Sequence, residues 1–501
     1  MKNLQLLFLT NKEAFRWLII LSILERTRTC TAQRISERTN ISTRTLIKDM
    51  QGIRAFFDPS IELTTSNSGY VLEIRNYKEY HSLKRELIEN DPLFVLINSI
   101  LIGDLHTVEE WAFRFHLSES TMKRHILSVT HILNQYELQF SLTPVDIVGP
   151  EVNIRKFFKD FYYEVEITPH VLLPFEEVRD LFFHLDENVR KNLETNVSPS
   201  DFQYFLYIMI QRSKKGKRIP EIQINFDYLK NERQFLSFLK ENILRVYEYQ
   251  ISDNELNVLY IYLMSQRRIT QVKEESTYCK RFGNSSIEKH LAKKFIESYE
   301  EHLGKKSLGC EFFVLLESFF ISLSWLSYIG EIIHKSSLSV INFCKEKYPE
   351  ECAFTVSFLK DSYQQISESG KYYEDIAVSL VLTIEAIRDI YVRNPHKIAV
   401  LIEGSYYIRR MIEAKLLRYL RGYHQIFFPT IEEMTQAYFD RNQVDLFVTN
   451  QEEYITELVA NIDFILLKSL PDAEDWNELL TRINPQITKD FSIGKSLSIN
   501  N

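Results

Sequence analysis

The stretch TNISTRTLIKDM, residues 39–50, decides how the amino-terminal part of the chain folds. It begins with small polar residues and an arginine, and it then places Leu46, Met50 and Ile53 at the spacing of one helix face. Acidic side chains usually favour the first turn of a helix, because its free N–H groups carry partial positive charge. Hydroxyls and a cation at that end therefore indicate a helix start that faces a negatively charged partner.

The same pattern recurs in HLSESTMKRHILSV, residues 116–129, at an offset of 76. With this offset Ser42 aligns with Ser118, and Leu46 aligns with Met122. The residues upstream keep the same apolar register, which is typical of a helix, a turn of about four residues and a second helix. The sequence therefore predicts two helix-turn-helix units.

Each unit is followed by a segment in which apolar and polar residues alternate about a short turn. The first is IELTTSNSGYVLEI, residues 61–74, and the second is LQFSLTPVDIVG, residues 138–149. Such alternation around Ser-Gly or Thr-Pro predicts a β-hairpin. A helix-turn-helix followed by a hairpin is a winged helix, so we expect two winged helices in tandem.

The start of a recognition helix enters the major groove of DNA, where hydroxyls reach phosphates or base edges and arginine binds guanine. The whole chain of 501 residues has a net charge of −8, so any affinity for nucleic acid must come from a local basic patch. Basic residues outnumber acidic ones around the first unit, which fits this requirement. They are Arg26, Arg28, Arg34, Arg38 and Arg54, against Glu25, Glu37 and Asp49. The predicted DNA contacts are Ser42, Thr43, Arg44, Thr45 and Lys48 in the first unit, and Ser118, Ser120, Thr121, Lys123, Arg124 and His125 in the second.

Two simpler interpretations of these units stay open. Serine and threonine at a helix start are ordinary N-caps, and a winged helix can serve protein contacts alone. The chain would then be a scaffold that binds protein partners. The duplication, with a wing and a basic helix face in each copy, favours DNA binding.

Residues 165–392 are dense in helical patterns and poor in strand signals, which predicts two helical bundles. The basic segment SKKGKR, residues 213–218, is interpreted as a solvated loop between helices, with contact to a ligand or DNA as the alternative. The apolar run at residues 312–333 is long enough to span a bilayer, but its serines favour a buried helix. Histidines stand singly, so we expect no catalytic or metal site and no cofactor.

After residue 395 apolar strands and helices alternate four times, which predicts a parallel sheet flanked by helices. The polar residues 487–501 are expected to form a flexible tail. Five cysteines without C-x-x-C spacing fit neither a disulfide framework nor a zinc site, and they indicate a cytoplasmic protein. No membrane association is expected, because charged residues interrupt the apolar run at residues 4–24 and no cleavage site follows it.

Two winged helices, two helical bundles and a small α/β domain, in that order, resemble the Mga/AtxA family of Gram-positive regulators of virulence genes. The bundles are similar to phosphotransferase-system regulation domains (PRDs), and the tail is similar to the EIIB subunit of that system. The resemblance implies a multidomain, mainly α fold with a four-stranded parallel sheet in the EIIB-like domain. The expected domains are winged helix 1 (1–78), winged helix 2 (79–164), PRD-like bundle 1 (165–285), PRD-like bundle 2 (286–394), the EIIB-like domain (395–486) and the tail (487–501).

The resemblance also implies partners: double-stranded promoter DNA, a second copy of the chain and a phosphocarrier protein. The homodimer would form through the EIIB-like and second PRD-like domains. PRDs carry target histidines, but our alignment places Phe205 and Tyr262 at two of these positions. His184 and His170 remain the candidates for phosphorylation.

EIIB domains carry a nucleophilic cysteine after the first strand, where this chain has Ile402 and Glu403. Without a thiolate there is no phosphoryl acceptor, so we expect an interaction module and no enzyme activity. The missing cysteine argues against a PRD-containing phosphotransferase component. An RNA-binding antiterminator would need a β-rich domain at the amino terminus, whereas residues 1–60 are helical in pattern. The favoured function is a transcriptional activator of virulence or surface-protein genes.

Overall fold

The computed structural model describes residues 4–164, 167–168, 199–222, 233–283, 286–303, 310–362, 370–391, 396–420, 424–431, 433, 435–458 and 462–483. The chain forms two compact units, Met1–Ile387 and Arg388–Asn501. Helices dominate the first unit, and the second contains a parallel sheet. The predicted fold class, mainly helical with helix-turn-helix domains first and a four-stranded parallel sheet last, is confirmed.

The first winged helix contains three strands and the two helices of the helix-turn-helix. Its strands form an antiparallel sheet in the order β1–β3–β2. Gly69 is required at the tip of the hairpin, because its φ is 114° and a Cβ would lie 2.4 Å from the carbonyl oxygen of Cys30. The elements, preceded by a short helix, are α1 (Leu4–Leu7), α2 (Lys12–Thr27), β1 (Thr29–Cys30), α3 (Ala32–Thr39), α4 (Thr43–Phe57), β2 (Ile61–Ser66) and β3 (Gly69–Ile74).

A buried carboxylate joins α4 to α2. Asp49 is fully buried and accepts hydrogen bonds from Arg16 Nε at 2.6 Å and from Trp17 Nε1 at 3.3 Å. Gly52 leaves room for the same indole ring, since a Cβ there would lie 2.3 Å from Trp17. The apolar face of α4 therefore packs closely on α2, and the opposite face stays open to solvent.

The second winged helix repeats this order with a shorter hairpin. α5 serves both winged helices, because Tyr80 packs in the first core and Ile88 in the second. This continuous helix crosses the domain boundary expected at residue 78. The elements are α5 (Tyr77–Glu89), α6 (Pro92–Ile102), α7 (Val108–Arg114), α8 (Glu119–Ser128), α9 (Thr130–Asn134), β4 (Gln139–Leu142), β5 (Val145–Val148) and α10 (Glu151–Tyr163).

Helices follow through the rest of the first unit. They are α11 (Pro199–Lys214), α12 (Arg233–Tyr247), α13 (Asp253–Met264), α14 (Val272–Phe282), α15 (Ser286–Leu303), α16 (Cys310–Ile329), the 3-10 turn Glu331–His334, α17 (Leu338–Lys347), α18 (Pro349–Ser362) and α19 (Tyr373–Tyr391).

Among the described residues α16 alone is long and apolar enough to cross a membrane, and half of its apolar window is buried. Its Ser318 hydroxyl donates to Glu275, and its Ser322 hydroxyl lies 3.2 Å from that of Tyr278. These contacts tie α16 to α14, which supports the interpretation as a bundle helix.

Three buried charged residues and one half-buried glutamate join the second winged helix to the helices that follow. We call Glu151, Arg155, Arg212 and Glu255 the charge cluster. Arg155 binds Glu255 through Nη1 at 2.6 Å and Nη2 at 2.8 Å, and its Nε lies 3.0 Å from Glu151. Arg212 binds the other oxygen of Glu151 at 2.7 Å. The cluster fixes α10 against α11 and α13.

The second unit alternates strands and helices. All four strands are parallel, as predicted, and the structure arranges them in the order β7–β6–β8–β9. The helix expected over residues 431–442 begins only at Gln436, because Thr435 caps it and a turn held by Thr430 and Glu433 precedes it. The elements are β6 (Lys397–Leu401), α20 (Tyr406–Leu420), β7 (Gln425–Phe427), α21 (Gln436–Asn442), β8 (Leu446–Thr449), α22 (Glu452–Leu458), β9 (Asp463–Leu466) and α23 (Ala473–Ile483). The predicted tail, residues 487–501, lies outside the described residues.

We expect Glu255→Gln to destabilise the first unit by about 3–5 kcal/mol, because it leaves the buried Arg155 guanidinium without its main counter-charge. Asp253→Asn is the matched control on the same helix, since Asp253 forms an exposed pair with Lys240 at 2.7 Å. It should change stability by less than about 1 kcal/mol. Urea unfolding followed by circular dichroism measures both, and equal effects would contradict a stabilising role for the cluster.

Candidate nucleic-acid interface

Both recognition helices begin with the same serine cap. Ser42 Oγ accepts a hydrogen bond from the backbone N–H of Thr45 at 3.2 Å and lies 2.9 Å from the Thr45 hydroxyl. Ser118 makes the same two contacts with Thr121, at 3.2 and 2.8 Å. The serine at each helix start is thus an N-cap, as the simpler interpretation held for these serines.

The turns before the two helices also match. Asn40 and His116 both adopt φ of 54°, in the left-handed region, and each stands two residues before its capping serine. Thr31 and Thr107 cap the preceding helices, α3 and α7, in the same way. The offset of 76 seen in the sequence therefore holds for the backbone, and the two helix-turn-helix units are structural copies.

The predicted contacts lie on the open side of the two helices. None of the four cations named as contacts there pairs with a carboxylate among the described residues, so their charges are available to a ligand. The exposed predicted residues are Ser42, Thr43, Arg44, Lys48, Ser118, Ser120, Lys123 and Arg124, and the half-buried ones are Thr45, Thr121 and His125.

Two charges near this surface have partners within the protein: Asp49 is buried, whereas Arg54 is exposed and contacts the hairpin. Asp49 is buried and paired with Arg16, so its carboxylate does not reduce the positive charge of the exposed face of α4. Arg54 donates its Nε–H to the carbonyl oxygen of Leu63 at 2.9 Å and thereby holds the hairpin against α4. The exposed cations in the first two turns of α4 are therefore Arg44 and Lys48.

Sequence reasoning missed four exposed residues on the same helix faces. Ile47 is 47% exposed and Leu127 is 49% exposed, and Gln51 and Glu119 are also exposed. Apolar periodicity assigns aliphatic residues to the core, so it gave no reason to examine Ile47 or Leu127. Each lies three residues after a predicted contact, Arg44 or Arg124, and this spacing would have placed both on the outer face.

The two positions aligned with PRD histidines are in contact with each other. The rings of Phe205 and Tyr262 stack with centroids 3.8 Å apart and planes at 8°. The Tyr262 hydroxyl donates to Asp201, which also binds Lys159 Nζ at 2.7 Å. Burial raises the pKa of Tyr262, so the phenol keeps its proton. This pair is a packed stack without an imidazole.

The fallback phosphorylation candidates, His170 and His184, lie outside the described residues. In the second unit, Glu403 stands beyond the carboxyl end of β6, and its carboxylate accepts a hydrogen bond from the Tyr454 hydroxyl at 3.1 Å. Its backbone N–H donates to Asn450 Oδ1 at 2.8 Å. At the position where the resemblance to EIIB would place a nucleophile, the structure thus has an anchored carboxylate, which would repel a phosphoryl group.

Comparison with known proteins agrees with this geometry. The model of the Mga helix-turn-helix domain matches residues 76–162, and that of an HTH domain matches residues 16–71. The chain is 18% identical over 490 residues to the anthrax toxin expression trans-acting positive regulator of Bacillus anthracis. The matched region covers 93% of this chain and 98% of that protein.

Two further relatives match over shorter regions. The capsule synthesis positive regulator AcpA of Bacillus anthracis is 21% identical over 304 residues, or 58% of this chain and 62% of AcpA. A protein named as a trans-acting regulator in Streptococcus pneumoniae serotype 4 is 24% identical over 158 residues, or 31% of this chain and 32% of that protein. These two relatives are thus matched over less than two thirds of their length.

The matches confirm the resemblance to Mga/AtxA regulators that the order of domains suggested. The chain is a transcriptional regulator with helix-turn-helix domains. The expectation that it is not an enzyme is also confirmed, because the matched relatives are regulators.

We expect Ser118→Ala to destabilise the protein by about 1 kcal/mol, because it removes the side-chain acceptor at the start of α8. Ser42→Ala should cost a similar amount in α4. Ser120→Ala is the control: the exposed Ser120 hydroxyl lies 2.9 Å from Ser118 Oγ, but its loss keeps the bond from the Thr121 N–H to Ser118. Its effect should stay within about 0.5 kcal/mol. Thermal unfolding compares the variants, and a silent Ser118→Ala would show that the cap is dispensable.

Proposed function

We propose that this regulator binds promoter DNA directly through both winged helices. The observation that carries the proposal is the duplicated geometry of α4 and α8. Both helices present exposed cations that pair with no carboxylate in the described ranges, and one cation of each lies at an equivalent place. Lys48 and Arg124 occupy the same position in the two copies, and Arg44 lies one turn before Lys48 on the same face. Such residues suit phosphate contacts and, for arginine, recognition of guanine.

Activation of virulence or surface-protein genes in the cytoplasm is the regulatory outcome that we propose. Two matched relatives are named as positive regulators, one of anthrax toxin expression and one of capsule synthesis. A scaffold that binds only proteins would not require a free cation at matching places in both copies. An RNA-binding antiterminator is disfavoured because the amino-terminal residues form helix-turn-helix domains.

We also propose a homodimer through the EIIB-like and second PRD-like domains. The second unit exposes large apolar side chains, and Tyr407 on α20 is 81% exposed, while Phe464 and Leu466 on β9 are exposed as well. Leu338 and Phe343 on α17 are also exposed. Exposed apolar groups of this kind favour association, and a two-fold protein suits paired half-sites in DNA.

Control by a phosphocarrier stays a proposal that depends on His184 and His170. The stacked Phe205 and Tyr262 remove two of the usual targets, and Glu403 replaces the EIIB nucleophile. A role as a phosphotransferase component is therefore the weaker alternative. Phosphorylation would act on the bundles to regulate DNA binding.

Titration of the purified protein with the duplex upstream of its own gene, at several salt concentrations, tests DNA binding. The slope of log K against log salt should be roughly −0.9 per phosphate neutralised. Lys48→Ala and Arg124→Ala should each flatten it by about one unit, and Arg44→Ala should relax sequence preference if the guanidinium reads a base.

Lys273→Ala serves as the control, because Lys273 is an exposed cation on α14. It should leave both affinity and slope unchanged. If the folded Lys48 and Arg124 variants bind with the same slope as the wild type, the winged helices do not contact DNA in the proposed way.

A further inference from the structure

The basic loop SKKGKR, residues 213–218, has a fixed conformation at the end of α11. Gly216 N–H donates to the carbonyl oxygen of Ser213 at 3.0 Å, and Lys217 N–H donates to that of Arg212 at 3.1 Å. These are the two hydrogen bonds of a Schellman motif. Gly216 has φ of 75°, a conformation that favours glycine. The loop is therefore a structured helix cap.

The charge cluster ties this cap to the second winged helix. Arg155 on α10 donates through Nη2 to the carbonyl oxygen of Lys217 at 3.0 Å and to Ser213 Oγ at 3.3 Å. Glu255, which binds the same guanidinium, also accepts the N–H of Ile219 at 3.1 Å. Both ends of the loop are thus held by the group that fixes α10.

The loop lies beside the second wing. Lys217 Nζ is 3.5 Å from Asp146 Oδ2 on β5, and Asp146 closely follows the turn that joins the two strands of the wing. The side chain of Lys215 packs over Gly103 at the end of α6, where a Cβ would lie 2.7 Å from Lys215 Cγ. Two contacts therefore place the loop against the second winged helix.

The charges of the loop compensate for a wing that has no cation. Residues 138–149 contain one charged residue, Asp146, which would repel a DNA backbone if it stood alone. Lys217 neutralises this carboxylate at 3.5 Å. Lys215 and Arg218 are exposed and pair with no carboxylate in the described parts of the chain. The loop therefore adds two exposed positive charges beside the wing.

We propose that Lys215 and Arg218 bind DNA phosphates next to the site of α8, while Lys217 shields Asp146. The inference rests on the proposed function, and it assigns a residue pair outside both winged helices to the DNA-binding surface. The loop thus extends the DNA-binding surface beyond the second wing, although it belongs to the helices that follow the second winged helix. It also gives those helices a direct physical connection to bound DNA.

The double variant Lys215→Ala/Arg218→Ala tests the phosphate contacts. If each cation neutralises one phosphate, the slope of log K against log salt should flatten by roughly 1.8. The loss of affinity should be the same for the promoter duplex and for a scrambled duplex, because phosphate contacts carry no sequence information.

Lys273→Ala/Lys280→Ala is the matched control, since it removes two exposed cations from α14 and changes the net charge equally. It should leave the slope unchanged. Circular dichroism and thermal unfolding establish that both double variants are folded. If the loop variant shows the wild-type slope, the inference is overturned and the proposed function stands. If the wild type binds no duplex at any salt concentration, both are overturned.

A double-mutant cycle tests the role of Lys217. Lys217→Ala should weaken DNA binding, because it exposes the charge of Asp146 to the phosphates. Adding Asp146→Asn should restore most of the lost affinity, since it removes the repelling charge. Additive effects of the two substitutions would show that Lys217 does not act by shielding Asp146.

Discussion

The buried contact between Arg155 and Glu255 is the interaction on which the arrangement of the first unit depends. A buried ion is costly unless its hydrogen-bonding groups are satisfied. Arg155 meets this condition with two bonds to Glu255, one to Glu151, and bonds to Ser213 and Lys217. Because these partners come from α10, α11, α13 and the loop after α11, one guanidinium sets the position of the second winged helix relative to the following helices.

The two winged helices show how one backbone can present two different surfaces. Serine caps, left-handed turn residues and buried apolar positions are shared, so the helix starts have the same geometry. The outward residues differ: Ile47 in the first copy corresponds to Lys123 in the second, and Gln51 corresponds to Leu127. Differences confined to the outer face change which groups meet a ligand without disturbing the core.

The sequence predicted the type and order of most elements, because apolar periodicity follows from which face is buried. It was less able to assign charges. The sequence suggests that Asp49 and Arg54 only contribute charge to the surface. In the structure Asp49 is the buried partner of Arg16, and Arg54 holds the hairpin. The domain boundary expected from the sequence also falls within α5, although residues of this helix pack in two cores. Partners distant along the chain decide these outcomes, and local patterns contain no information about them.

By itself the sequence determined the duplication, the helix-turn-helix units and the parallel sheet, since each depends on residue types at short spacing. It also showed that no cysteine stands where the resemblance to EIIB would place one. Only the tertiary structure decided that Phe205 stacks on Tyr262 and that the loop at residues 213–218 lies beside the second wing. From the sequence alone, this loop is interpreted as a solvated connection between helices. Its position follows from Arg155, a residue far away in the chain, because a buried charge must be matched by whichever groups the fold brings to it.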